Sequence, residues 1–133
     1  MRARPAGAGG DAGSAVAEFA AVGALLTVLF LLVVQAGLVL HVRATAVDCA
    51  SEGARFGALA GSSPAAGAER TRQLLRTSLS PRYAEDVSAG VVDAGGVPTV
   101  EVRVRAPLPV VGLVGVGRAL DVRGHAVQEE ASP

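Results

Sequence analysis

The longest apolar stretch of the chain runs from Phe19 to Leu40 and contains no charged residue. Its only polar side chains are those of Thr27 and Gln35. A helix of about 22 residues rises about 33 Å, enough to cross the roughly 30 Å hydrocarbon core of a bilayer. The pattern therefore predicts one transmembrane span, at about residues 19–40.

Beyond the span, apolar and small residues recur at spacings of three and four, which is typical of an amphipathic helix. Glu52 and Arg55 fall on the opposite face, three residues apart, where they can pair across one turn. We expect one continuous helix over residues 14–60, with Ser14 as a possible cap. The predicted small face consists of Ala44, Val47, Ala50, Ser51, Ala54 and Ala58.

The remaining chain, residues 61–133, predicts a small α+β domain. A second helix fits Ala66–Leu79 and stops before Pro81. From Glu85 the apolar period changes to two, which indicates strands, and the clearest strand is Val100–Arg105. The last strand is expected over Arg118–Val127, and the antiparallel sheet would pack against the helices.

Two further segments lie outside these elements. Residues 1–13 are rich in Gly, Ala, Pro and Arg, so a disordered leader is expected. Pro107–Gly117 is apolar and Gly-rich, and we expect a loop there. A short segment that dips into the membrane is the alternative for it, although its length is too small to span a bilayer.

Composition narrows the function classes. Twelve basic residues balance twelve acidic ones, so no excess positive charge suggests nucleic acid. The chain has three Phe, one Tyr and no Trp, whereas an enzyme pocket usually needs larger walls. His41 and His125 have no ligand-type neighbours at metal spacing, so we expect no metal site. No cofactor is expected either. Arg103 and Arg105 are candidates for anion binding, with a solvated strand face as the ordinary interpretation.

Cys49 is the single cysteine, which excludes an internal disulfide. An inert, buried thiol on a helix face is the ordinary expectation, and pairing with another chain is the alternative. The short N-terminal tail is the part expected to stay in the cytoplasm, which leaves the C-terminal domain extracytoplasmic. A cleaved signal peptide ending near Val34-Gln35-Ala36 remains an alternative to an uncleaved span.

Glu18 is the residue whose role decides the function. An acid beside a membrane span is costly and therefore a functional candidate, but a Glu in the first turns of an interfacial helix is also ordinary. The residues alone leave these two interpretations equal.

The stretch Gly13-Ser14-Ala15-Val16-Ala17-Glu18-Phe19 with its apolar run resembles the processing and assembly motif of prepilins. More narrowly, it is similar to the opening of TadE-like pseudopilins of Flp-type tight-adherence pili. Ala50-Ser51-Glu52-Gly53-Ala54-Arg55-Phe56 resembles the family's Ala-x-Glu-Gly-Ala-Arg-aromatic signature. Gly37, Leu40 and Arg43 at the end of the span, and the tail His125–Glu129, also look like family features.

The resemblance implies a membrane-anchored, pilin-like α+β protein that is not an enzyme. A prepilin peptidase would cut between Gly13 and Ser14, and Glu18 and Phe19 would set assembly and axial register. Glu52, Gly53, Ala54 and Arg55 would form the helix signature. The implied partners are the membrane, the peptidase, the major pilin, a sister pseudopilin and the assembly platform.

Other functions remain open at this point. The main alternative is an unprocessed single-span protein whose small domain binds a partner in a secretion or envelope complex. A TadF-like or TadG-like role, and entry into the fibre as against initiation of assembly, are also left open by the sequence.

Overall fold

The computed structural model describes residues 2–3, 10–108 and 119–130. It has a long helix, a second helix and an antiparallel sheet, as the sequence predicts. A short 3-10 turn, which was not predicted, lies between the second helix and the sheet. The chain divides into two units between Ala36 and Gly37. The elements are α1 (Gly10–Ala58), α2 (Pro64–Ser78), the 3-10 turn (Pro81–Ala84), β1 (Asp86–Asp93), β2 (Pro98–Pro107) and β3 (Ala119–Val127).

Helix α1 begins earlier than the sequence suggests. It starts at Gly10, so residues 10–13, assigned above to a disordered leader, are helical. Asp11 lies in the first turn, where the positive end of the helix dipole stabilises a carboxylate. Ser14 consequently lies inside the helix and does not cap it. Residues 1 and 4–9 of the predicted leader lie outside the described residues.

The buried face of α1 is displaced from the predicted one. Ala44 is exposed and Val47 is only partly buried, whereas Cys49 and two glycines are buried. Hydrophobic periodicity gives glycine no weight, yet glycine lets another backbone come closest. The buried residues of this face are Val42, Ala46, Cys49, Ala50, Gly53, Ala54, Gly57 and Ala58.

Helix α2 begins two residues before the predicted start because Ser63 caps it. The Ser63 hydroxyl accepts a hydrogen bond from the Ala66 amide at 3.1 Å, and Pro64 occupies the first turn. The buried face of this helix contains Ala68, Thr71 and Leu75, which lie three and four residues apart and so share one side of the helix.

The three strands pair in the order β1-β2-β3, all antiparallel. Residues Val100, Val102 and Val104 of β2 are fully buried at the centre of the inner face. Gly95 and Gly96 have φ of 70° and 90° and turn the chain between β1 and β2, because this left-handed region strains other residues. Pro107, expected in the loop, ends β2, and residues 109–118 of that predicted loop lie outside the described residues.

Helix α1 and β3 run in the same direction across the domain. Gly124 of β3 lies against Ala50, and farther along the chain the Glu129 amide donates to the Ala58 carbonyl at 2.8 Å. The Gln128 amide donates to the Pro98 carbonyl at 3.0 Å, which extends the β2–β3 pairing. The segment after β3 is therefore fastened to the end of α1.

Candidate assembly segment and helix signature

The proposed processing site lies within the first turns of α1. A Cβ built on Gly13 meets no atom within 4 Å, apart from the helix's own nearby backbone. The Ser14 hydroxyl donates to Glu18 Oε1 at 3.5 Å, and both side chains are exposed. Gly13, Ser14 and Glu18 therefore share a single exposed stretch of helix in which an added side chain at Gly13 meets no tertiary neighbour.

The apolar stretch after Glu18 has no protein cover among the described residues. Phe19 is 82% exposed, and no residue in the most apolar window of α1 is buried. The mean hydropathy of that window is 2.5, and α1 is the one described helix long and apolar enough to cross a membrane. The Thr27 hydroxyl donates a hydrogen bond to the Gly23 carbonyl at 2.8 Å. This bond satisfies the hydroxyl within the helix, since lipid tails offer no acceptor. These features indicate single-pass membrane anchoring.

The four residues of the Glu52–Arg55 signature form two groups, one on the surface and one buried. Glu52 and Arg55 lie on the surface, with 4.0 Å between Oε2 and Nη1, in a pair that is worth little in water. Gly53 and Ala54 are buried, and Ala54 has no exposed surface. Gly53 and Ala54 are therefore packing residues, whereas Glu52 and Arg55 lie on the surface of the domain.

Gly53 lies at the crossing of α1 and α2. A Cβ at this position would overlap the Thr71 hydroxyl and lie 2.7 Å from the Gly67 carbonyl oxygen. In return, a Cβ on Gly67 would lie 2.5 Å from the Gly53 carbonyl oxygen. The Thr71 hydroxyl lies 3.0 Å from the Gly67 carbonyl and 3.4 Å from that of Cys49. The two glycines thus allow backbone-to-backbone contact between the helices.

Cys49 is buried, with 5% of its surface exposed, as expected for an inert thiol on a helix face. Burial raises the pKa of the thiol, and the Asp48 carboxylate acts in the same direction against a hydrogen bond from Ser78. The reactive thiolate is therefore disfavoured at neutral pH.

The outer face of the sheet carries charge in opposed pairs. Arg103 binds Asp121 through Nε at 2.8 Å and through a second bond from Nη2. These bonds lower the pKa of the Asp121 carboxyl and raise that of the Arg103 guanidinium. The Glu101 carboxylate lies 2.8 Å from His125 Nε2, within hydrogen-bond distance, and forms an ion pair with Arg123 Nη1 at 3.7 Å. Arg103, an anion-binding candidate, is thus already paired, and the solvated strand face is the better interpretation.

The described residues contain no group of three His, Cys, Asp or Glu that could hold a metal ion. The predicted site residues of α1 lie in two places along the helix, Gly13–Phe19 in one unit and Glu52–Arg55 in the other. Sequence reasoning missed Gly67 and Gly124, which together with Thr71 complete the packing around the signature. The sequence signal for them was the placement of small residues inside otherwise regular elements.

Comparison with protein families gives one match. The model of the TadE-like protein family matches residues 13–55. The matched stretch begins at Gly13 and ends at Arg55, so it includes the Glu18-Phe19 motif, the span and the signature. The resemblance inferred from the sequence is confirmed over this stretch. No curated protein and no solved structure gives a significant match to the chain.

Proposed function

We propose that this chain is a minor pilin, or pseudopilin, that acts in the assembly of a Flp-type tight-adherence pilus. The observation that carries the proposal is the TadE-like match over residues 13–55, which joins the Glu18-Phe19 motif, the apolar span and the helix signature in one stretch. The role is structural: the chain is a component of the machinery and catalyses no reaction.

Processing by a prepilin peptidase between Gly13 and Ser14 is part of this proposal. A Cβ added at Gly13 would meet no tertiary neighbour among the described residues, so a peptidase would not have to displace packed side chains of those residues to reach the bond. Cleavage would leave Ser14 with a new amino group and make Glu18 the fifth residue of the mature chain. The N-terminus would be cytoplasmic before cleavage, and the domain after Leu40 would be extracytoplasmic.

Glu18 is proposed to set the axial register between packed helices. An unpaired carboxylate at the membrane edge is unfavourable, and the amino terminus of a neighbouring subunit is a natural partner. Because desolvation offsets much of the attraction in such a pair, its value lies in register more than in affinity. Ala17, Ala20, Ala21 and Ala24 lie along the same exposed helix and permit close approach. The major pilin, a sister pseudopilin and the assembly platform are the proposed partners.

N-terminal sequencing of the protein purified from membranes tests the proposal. A mature chain that starts at Ser14 supports pilin-type processing. A chain that keeps Met1 indicates an unprocessed membrane anchor, and a start near Gly37 indicates release by signal peptidase. Either of the last two results contradicts the proposal.

A matched pair of variants sharpens this experiment. Gly13→Leu and Gly10→Leu each add the same side chain to α1 at a position with no tertiary neighbour within 4 Å. Co-expressed with the cognate peptidase, Gly13→Leu should accumulate as the precursor, whereas Gly10→Leu should be cut normally. Equal processing of both variants would place the cleavage elsewhere.

A further inference from the structure

Among the described residues of the domain, the large apolar side chains that are substantially exposed lie at one end. Outside the stretch from Val16 to Leu40, six large apolar side chains among the described residues are substantially exposed. All six lie where α1, the β1–β2 turn and the end of β3 meet, and we call this set the apolar cap. It consists of Phe56, Leu59, Val91, Val92, Val97 and Val127.

Three shallow clefts lie between the side chains of the apolar cap, and neighbouring clefts have lining residues in common. The largest, of about 740 Å³, lies between Leu59, Val97 and Val127. Leu59 also lines the cleft that contains Phe56, and Pro98 is shared with the cleft that contains Val91 and Val92. Val91 lies opposite Val100 on the inner face of the sheet, whereas Val92 and Val127 lie opposite Thr99 on the outer face, so the cap covers both faces at this end. Exposed apolar side chains grouped around shared clefts are typical of interaction sites.

The charged side chains in the walls of these clefts are all acidic within the described part of the chain. They are Asp93 beside the β1–β2 turn, and Glu129 and Glu130 after β3. The Glu129 amide is bonded to the end of α1, which fixes the backbone that carries these two carboxylates. On the outer face of the sheet, by contrast, acidic side chains are paired with arginines, Asp121 with Arg103 and Glu101 with Arg123.

We propose that the apolar cap is the docking surface for a protein partner that presents apolar side chains flanked by Arg or Lys. Apolar contact would supply burial, and the three carboxylates would favour a basic rim and reject an acidic one. Two copies of the cap placed face to face would oppose their carboxylates, so a second copy of this chain fits poorly. An anionic lipid surface is disfavoured by the same charges. This proposal does not rest on the pilus assignment.

Two synthetic peptides test the proposal on the full chain in detergent micelles. The first is an amphipathic helical peptide with Leu on one face and Arg on the other, and the second replaces each Arg with Glu. We expect the basic peptide to perturb the methyl resonances of Leu59, Val97 and Val127 and to bind at least about tenfold more tightly than the acidic one. Equal affinity, or no binding by either peptide, overturns the proposal.

Variants separate the apolar and the charged contributions. The double variant Val97→Ser, Val127→Ser changes two exposed positions, and it should lower the affinity for the basic peptide about tenfold. The double variant Glu129→Gln, Glu130→Gln should also lower this affinity, although it leaves the apolar surface unchanged. The control Glu85→Gln removes an exposed acid outside the clefts and should leave the affinity unchanged. If Glu85→Gln has the same effect, attraction by overall charge replaces a defined docking surface.

The competing occupants give distinct results. Self-association that is lost in the Val97→Ser, Val127→Ser variant would assign the cap to a second copy of this chain. Broadening of the same methyl resonances by spin-labelled phosphatidylcholine in nanodiscs, with no peptide present, would assign it to lipid. Either result overturns the proposal.

Discussion

Gly124 of β3 lies directly against the backbone of Ala50 in α1. A Cβ added at position 124 would be 2.5 Å from the Ala50 carbonyl oxygen and would overlap the adjoining peptide bond as well. This contact sets the distance between the long helix and the sheet. It also explains why the inner face of α1 consists of small residues.

Gly124→Ala should therefore destabilise the domain, because the added methyl group meets a backbone that cannot rotate away. We expect a loss of about 1–3 kcal/mol in the free energy of unfolding. Urea unfolding in detergent micelles measures it through Tyr83, the single tyrosine, which is buried in a chain without tryptophan. Gly90→Ala is the control, since its Cβ meets nothing within 4 Å, and it should change stability far less. Equal effects would contradict the close contact.

Gly53→Ala and Glu52→Gln should show that the buried and the exposed residues of the helix signature contribute differently to stability. The new methyl group would collide with Thr71 and with the Gly67 carbonyl, so we again expect a loss of about 1–3 kcal/mol. Glu52→Gln, one residue away, removes only a surface pair and should change stability by less than about 0.5 kcal/mol. The same unfolding experiment measures both. A Gly53→Ala variant as stable as the wild type would contradict the close contact between Gly53 and α2.

The contribution of Asp121 to the stability of the domain should depend on pH and be lost in acid. Arg103 lowers the pKa of its carboxyl below the ordinary 3.8, so the folded state binds this proton less tightly than the unfolded chain. The stabilising contribution is complete above about pH 4 and is lost as the pH falls through the lower, folded pKa. The difference in urea midpoint between the wild type and Asp121→Asn should be constant near neutral pH and shrink below about pH 4.

An Arg103→Gln background is the control for this pH dependence. Without the Arg103 guanidinium, Asp121→Asn should have a smaller effect, and the difference should shrink less on acidification, because Arg105 at 3.8 Å and Arg123 still favour the Asp121 carboxylate. A difference in midpoint that persists unchanged in acid in the wild-type background would show that Asp121 acts through packing and not through its charge.

Cys49 should react slowly with a membrane-impermeant maleimide in the folded protein. Burial hides the thiol and raises its pKa, so little thiolate is present at neutral pH. Labelling should become fast in urea, and its rate should follow the unfolding transition. Rapid labelling without denaturant would mean that the α1–α2 contact opens readily.

Topology is better tested with a cysteine placed on the exposed strand position Ser88, in a Cys49→Ala background. If the domain is extracytoplasmic, Ser88→Cys should be labelled in cells whose inner membrane is intact, once any outer layer is permeabilised. Labelling that requires lysis of the inner membrane would reverse the proposed orientation.

Glu18→Gln should leave membrane insertion intact and weaken co-purification with the major pilin or the assembly platform. Asp11→Asn is the matched control, because it removes an acid from the first turn of the same helix, upstream of the proposed cut. Processing would discard that residue, so its replacement should not affect assembly. Unchanged co-purification of Glu18→Gln would leave Glu18 as an ordinary interfacial acid.

The sequence by itself determined the span, the α+β class and the order of the elements. An apolar run of bilayer length, a spacing of three and four, and a period of two are each local patterns that the backbone geometry imposes. The motif residues Gly13–Phe19 and Glu52–Arg55 were also visible without coordinates, because each is a short contiguous stretch.

Only the tertiary structure decided which face of α1 is buried and what the signature does. Gly53, Gly67 and Gly124 contribute no hydrophobic signal, yet they are the places where backbones come into contact. Whether a glycine is a helix defect or a contact depends on what lies opposite it, and Thr71 and Ala50 are distant in sequence from their partners. The apolar cap likewise arises from α1, β1, the β1–β2 turn and β3, so its side chains come together only when the sheet has closed against the helix.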